Sequence, residues 1–195
     1  RRLPGQRARC QGLGWETLGW KIAGTTPIMQ QRLKSGAPIY GRSYKRFETT
    51  SPASLPHGEL LDPIIEREFF FRLGASLPPR SMAYSLEEVR NAVDSVHCGV
   101  EVAECRFPMA SLPPMPAILA DGAATGRYVI GRTIPDWKQR KLGDMSVALE
   151  INGNVRRTGS GAEVMGEPIN AHVWLANERR NWNDGEPAVE ITFTA

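Results

Sequence analysis

Ile64-Ile65-Glu66-Arg67-Glu68-Phe69-Phe70-Phe71 decides the fold class of this chain, because it reads as a strand with two acids on one face. Side chains alternate along a strand, so residues two apart point the same way. Glu66 and Glu68 then share a face with Ile64 and Phe70, while Ile65, Phe69, Phe71 and Leu73 line the other. Two carboxylates side by side among bulky apolar residues repel each other and lose hydration. A divalent cation relieves both problems, and hard oxygen ligands suit Mg2+, Mn2+ or Ca2+ better than zinc. Further along, Val100-Glu101-Val102-Ala103-Glu104 supplies Glu101, alone on its side of a second apolar strand, as a third ligand. The same spacing fits a solvated face of an edge strand, with Arg67 and Arg72 as ion-pair partners. Spacing alone leaves both open.

Outward from these strands, the pattern is strand-rich with a few helices, an α+β class. Leu18 to Gly24 reads as a short strand, and Thr26 then caps a helix that has Pro27 at its first position and stops at Gly36. Ile39 to Phe47 is extended, and the acidic strand runs from Leu60 to Leu73. Ser85-Leu86-Glu87-Glu88 has the form of a capping box, followed by a helix with Val89, Ala92, Val93 and Val96 on its apolar face. Cys98 to Phe107 is the second acidic strand. A proline-rich connection leads to the small-residue turn Ala120-Asp121-Gly122-Ala123-Ala124-Thr125-Gly126 and a strand from Arg127 to Gly131. Asn152-Gly153 joins a hairpin, and Pro168 opens a last helix with Ile169, Val173, Leu175 and Ala176 inward. We expect one domain over 1–195, with atypical, incomplete ends at 1–17 and 181–195.

Composition sets the surroundings. The chain has 195 residues, 41% apolar and 23% charged, with a net charge of +3 that is too small to argue for nucleic acid. Arg1, Arg2, Arg7 and Arg9 read as a frayed terminus rather than an electrostatic arm. No apolar run approaches the ~18 residues of a membrane span. Three cysteines, Cys10, Cys98 and Cys105, follow no framework spacing and favour a reducing cytosol. We therefore expect a cytoplasmic protein with no membrane partner. His97, Cys98 and Cys105 lack zinc-site spacing and read as small buried strand residues. Gly159-Ser160-Gly161 lacks the nucleophile-elbow pattern and reads as a glycine turn near the pocket.

Gly19-Trp20-Lys21-Ile22-Ala23-Gly24-Thr25, the Glu66-Arg67-Glu68 strand, Glu101 to Arg106, Ala120 to Gly126, Thr158-Gly159-Ser160-Gly161 and Trp174-Leu175-Ala176-Asn177 occur in that order. Together they resemble the 2-keto-4-pentenoate hydratase and 4-oxalocrotonate decarboxylase branch of the fumarylacetoacetate hydrolase superfamily, from about Leu18 to Asn177. The resemblance implies a mixed β-roll around Mg2+ or Mn2+, with Glu66, Glu68 and Glu101 on the metal-ligand positions and Lys21 on the active-site lysine. It also puts Ala23, Thr25, Thr26, Thr125 and Ser160 beside the substrate. That substrate would be a small 2-oxo or 2-hydroxydienoate acid, met in aromatic catabolism and processed by a homo-oligomer.

Two departures from the family pattern bear on the activity. Hydratases of this branch often carry an acid just ahead of a Tyr-Gly pair, where this chain has Ile39 before Tyr40-Gly41. The segment from Asn181 to Ala195 does not reproduce the usual closing strand, so incomplete closure of the roll is expected. Hydration of a 2-hydroxy-2,4-dienoate to a 4-hydroxy-2-oxo acid leads the expectations. Decarboxylation of a 2-oxo acid, hydrolysis of an acylpyruvate and a degenerate, non-catalytic homologue stand beside it.

Overall fold

The computed structural model describes residues 12–108, 110–182 and 191–194. The arginine cluster at 1–9 and Cys10 lie outside the described residues. In chain order the elements are β1 (Thr17–Ala23), α1 (Pro27–Leu33), β2 (Ile39–Tyr44), β3 (Glu48–Thr50), β4 (Pro63–Leu73), α2 (Leu86–Ala92), β5 (Val93–Glu104), α3 (Met115–Ala120), β6 (Arg127–Thr133), β7 (Ser146–Ile151), β8 (Asn154–Ser160), α4 (Pro168–Arg179) and β9 (Ile191–Thr194). One sheet runs β2-β1-β9-β4-β5-β6-β3, and β7 and β8 form a separate hairpin. The large sheet is mixed. β1 pairs with β9 and β3 with β6 in parallel, while its other pairs are antiparallel. This is the strand-rich α+β fold that the sequence predicts.

Alternation in β4 builds two layers. Phe69 and Phe71 enter the main core with Trp20, Ile22, Val93 and Val96, under Val89 and Ala92 of α2 and Ile169, Ala171, Leu175 and Ala176 of α4. Phe70 points the other way, into a cluster with Leu18, Tyr128 and Ile130. Each buried aromatic or aliphatic side chain contributes about 1.5–3 kcal/mol of hydrophobic stabilisation. A third apolar cluster gathers Ile39, Ile118 and Ala123, with Leu33 and Leu119 packed against it. Ile65 departs from the predicted lining and stays exposed.

Several boundaries shift for physical reasons. The helix expected to carry Val93 and Val96 stops at Ala92, and both valines belong to β5. β-Branched side chains are stiff in a helix and pack well on a pleated surface. The first helix ends at Lys34, left-handed at φ 53°, two residues before the expected glycine. Cys98 is exposed rather than buried, because the β5–β6 register shifts between His97 and Gly99 and breaks the regular alternation there.

β9 fills the place between β1 and β4 in the large sheet. It lies parallel to β1, with Lys21 opposite Phe193, and antiparallel to β4, with Phe70 opposite Phe193. A short strand therefore joins β1, which carries Lys21, to β4, which carries Glu66 and Glu68, and its backbone pairs with both. Among the described residues, no helix is long and apolar enough to cross a membrane.

Candidate metal and substrate site

Antiparallel pairing of β4 with β5 sets Glu66 directly opposite Glu101 and Glu68 opposite Gly99. Directly opposed residues share a face, so all three acids converge. One carboxylate oxygen from each of Glu66, Glu68 and Glu101 lies within 4.8 Å of the others. Glu68 and Glu101 are buried, at 4% and 0% exposure. β4 is flanked by β9 and β5, so it is no solvated edge. Arg67 donates to the Val147 carbonyl at 3.3 Å, and Arg72 lies 3.6 Å from Glu48, so neither serves the acidic pair. Gly99 makes the room: a Cβ there would meet the Val129 carbonyl at 2.3 Å and the Phe70 ring at 2.6 Å.

No protein donor reaches either oxygen of Glu68 among the described residues. A buried carboxylate without a donor is costly. Burial, then the neighbouring Glu101 and Glu66, push its pKa well above the carboxylate range. Burial likewise raises Glu101, to about 7, against the pull of Lys21. A bound cation offsets this repulsion and stabilises the ionised carboxylates. The donor set, all oxygen and held by rigid strands, fits a hard divalent ion.

Lys21 reaches the cluster from β1. Its Nζ stands 3.0 Å from Glu66 Oε2 and 3.0 Å from Glu101 Oε2, with 1% of the residue exposed. The contact to Glu66 is also a hydrogen bond donated by the ammonium. Burial disfavours the charged form, but Glu101, Glu66 and Glu68 together outweigh it and hold the pKa above the usual lysine value. The strand is pinned from behind at Trp20, whose ring is flanked by the guanidinium carbons of Arg42 at 3.7 Å and Arg179 at 3.8 Å.

The turn before β6 completes the site. Gly122, Ala123 and Ala124 all take left-handed backbone, at φ 76°, 57° and 59°. The turn presses on Gly41, the partner of Lys21 across β1 and β2, where a Cβ would meet the Gly122 carbonyl at 2.0 Å. At its far end the Gly126 N–H donates to Glu101 Oε1 at 3.1 Å. One loop thus touches both the strand paired with the lysine strand and the carboxylates. Its two alanines, strained at positive φ, mask that role in the sequence.

The remaining candidates separate. Thr125 is buried beside Tyr128, its hydroxyl 2.8 Å from the phenol oxygen. Thr25 is buried after β1, and Ala23 is half-buried at the end of that strand. The Thr26 hydroxyl oxygen accepts from Met29 N–H at 3.2 Å, so it is engaged in capping α1. Ser160 ends β8, and its N–H donates to Glu163 at 3.3 Å. No hydrogen bond among the described residues joins Ser160 to the carboxylate cluster. Sequence reasoning missed Tyr128, fully buried and directly opposite Glu101 across β5 and β6. Nothing in the strand Arg127–Thr133 marks it before the register opposite Glu101 is known.

No protein-family model matches the chain. It is 31% identical, over 164 residues, to the 2-keto-4-pentenoate hydratase of Paraburkholderia xenovorans (strain LB400), covering 84% of the chain and 60% of the relative. It is 28% identical to the 4-oxalocrotonate decarboxylase from Pseudomonas putida G7, solved with magnesium and adipate. That structure matches with a TM-score of 0.82 over 95% of this chain and 70% of its own. A Yersinia pestis CO92 protein described as of the fumarylacetoacetate hydrolase family matches at TM-score 0.60 and 14% identity, over 90% of this chain and 79% of that one, and so shares the fold alone. The chain spans about three fifths of the length of the hydratase it matches.

Proposed function

We propose that the chain belongs to the 2-keto-4-pentenoate hydratase and 4-oxalocrotonate decarboxylase branch of the fumarylacetoacetate hydrolase superfamily and catalyses divalent-metal-dependent addition of water to a 2-hydroxy-2,4-dienoate, giving a 4-hydroxy-2-oxo acid. The observation that carries it is the triad of Glu66, Glu68 and Glu101, two of them buried, with Glu68 lacking any protein donor. Glu66, Glu68 and Glu101 would hold Mg2+ or Mn2+. When bound, the ion supplies Lewis acidity for negative charge on the substrate's C2 oxygen.

The chain's own groups do the rest. Lys21, held as an ammonium, donates to an anionic oxygen and so orients the substrate carboxylate beside the triad. Thr125 and the backbone from Ala23 to Thr26 would contact the substrate; Thr25 and Thr125 are buried. We also infer that the protein acts in the cytoplasm as a homo-oligomer.

Ile39 favours a second reading. It lies on the same face as Lys21, paired with Ala23 and packed with Ile118 and Ala123. An isoleucine side chain cannot transfer a proton to a distal carbon, which favours decarboxylation of a 2-oxo acid. The test incubates the metal-loaded protein with 2-hydroxypenta-2,4-dienoate and, separately, with 2-oxohex-3-enedioate. Metal-dependent loss of the dienoate with formation of 4-hydroxy-2-oxopentanoate supports the hydratase. CO2 release from the diacid alone selects the second reading, and inactivity toward both overturns the lyase proposal.

A further inference from the structure

Glu66, Glu101 and Tyr128 form one row across β4, β5 and β6, each directly opposite the next. The Tyr128 ring meets Phe70 edge-on, with centroids 6.5 Å apart at 86°, and none of the residue is exposed. A phenylalanine would fill that space equally well, while a buried hydroxyl is costly unless it is hydrogen-bonded. What needs explaining is therefore the oxygen. It lies 2.8 Å from Thr125 Oγ1. Thr125 is fixed at two further points: Arg106 Nη1 donates to its carbonyl at 3.0 Å, and its own N–H donates to the Gly122 carbonyl at 3.2 Å. The next residue, Gly126, aims its N–H at Glu101 Oε1 at 3.1 Å, while Glu101 Oε2 faces the Lys21 ammonium at 3.0 Å. One oxygen of Glu101 is hydrogen-bonded and the other is ion-paired, and the hydrogen-bond donor follows Thr125 directly in the chain.

Resting on the metal reading above, we propose that the Tyr128 hydroxyl is a positioning group for Glu101, acting through the side chain of Thr125 and the N–H of Gly126. The phenol locks the Thr125 side chain, and the Thr125–Gly126 peptide then keeps a fixed donor on one carboxylate oxygen. The carboxylate is held in a single orientation before any cation arrives, so the ordering cost of ligation is already met. Partners that orient ligands in this way typically change metal affinity by about 10–100-fold when removed. Tyr128 touches neither cation nor substrate on this account. Its effect is carried wholly by the geometry of Glu101.

Titration calorimetry with Mg2+ tests this on the parent, Tyr128→Phe, Thr125→Val, the double variant and Thr125→Ser. We expect each of Tyr128→Phe and Thr125→Val to weaken Mg2+ binding about tenfold. The double variant should be no weaker than either single, because both remove the same link. Thr125→Ser keeps the hydroxyl and should bind within about twofold of the parent. A merely structural role for the phenol would lower the metal-free melting temperature without changing the dissociation constant. If the parent binds Mg2+ and Tyr128→Phe binds equally well, or if the two single losses add, the inference fails by itself. A parent that binds no divalent ion overturns the metal reading and this inference with it.

Discussion

Replacing Glu68 by Gln keeps the shape of the side chain and removes one charge from the triad. Glu66, Glu68 and Glu101 carry three negative charges against one on Lys21, so the cluster falls from a formal −2 to −1. Glu68 is the informative member because no protein donor engages it, and its substitution breaks no ion pair to Lys21. In the metal-free chain, relief of a buried, unsatisfied carboxylate should raise stability by about 1–3 kcal/mol. For a chain of this size that is a rise of roughly 2–12 °C in Tm, at about 2–4 °C per kcal/mol. With Mg2+ the sign reverses. A unit charge 4 Å from a divalent ion is worth about 8 kcal/mol at an effective dielectric constant of 20, most of it offset by desolvation. A net loss of about 2.7 kcal/mol, or a hundredfold in affinity, is a conservative share. At Mg2+ equal to 100 times the parental Kd, mass action stabilises the parent by about 2.7 kcal/mol and the variant by only about 0.4 kcal/mol. Thermal scans with and without Mg2+ should show a shift of roughly 5–11 °C for the parent and about 1–2 °C for Glu68→Gln. Equal shifts in the two proteins, or none in the parent, would refute the assignment of Glu68 as a ligand.

Three further outcomes follow from the geometry. Lys21→Met should abolish most turnover yet leave Mg2+ affinity at or above the parental value, since the ammonium pairs with two of the proposed ligands and competes with a cation; undiminished turnover would make Lys21 a bystander. Gly126→Ala sets a Cβ against the Val102 carbonyl at 1.9 Å, so β5 or the turn must move. A loss of about 2–4 kcal/mol is expected by urea unfolding, and a near-neutral result would contradict the tight approach. Glu88, held down to about 2 first by the Arg80 hydrogen bond and then by the Ser85 backbone and hydroxyl, contributes stability that is present above its ordinary pKa and lost as pH falls toward 2. The Tm difference between the parent and Glu88→Gln should therefore shrink steadily between about pH 4.5 and 2, and a constant difference would show that the capping geometry, not the charge, is responsible.

What was legible in the sequence was local or short-range. Alternation put Glu66 and Glu68 on one face and left Glu101 alone on its side of a second apolar strand, while its place directly opposite Glu66 is set by the antiparallel register of β5. Ser85 and Glu88 form the capping box that their spacing predicts, and Asn152 and Gly153 take left-handed backbone at φ 52° and 74° in the expected hairpin. Lys21 was different. A lysine amid the apolar residues of a strand has no local signature of chemistry, and only the family resemblance pointed to it. The missed features are long-range. β9 inserts between β1 and β4 although it is the last described strand in the chain, and no periodicity in four residues encodes that choice of neighbours. Tyr128 reads as an ordinary strand aromatic until its register opposite Glu101 is known. The same holds for Gly126, whose function lies in a backbone N–H that every residue but proline possesses. A site built from side chains on strands is thus readable by alternation. Its positioning depends on backbone groups and cross-strand register, and those exist only once the sheet has formed.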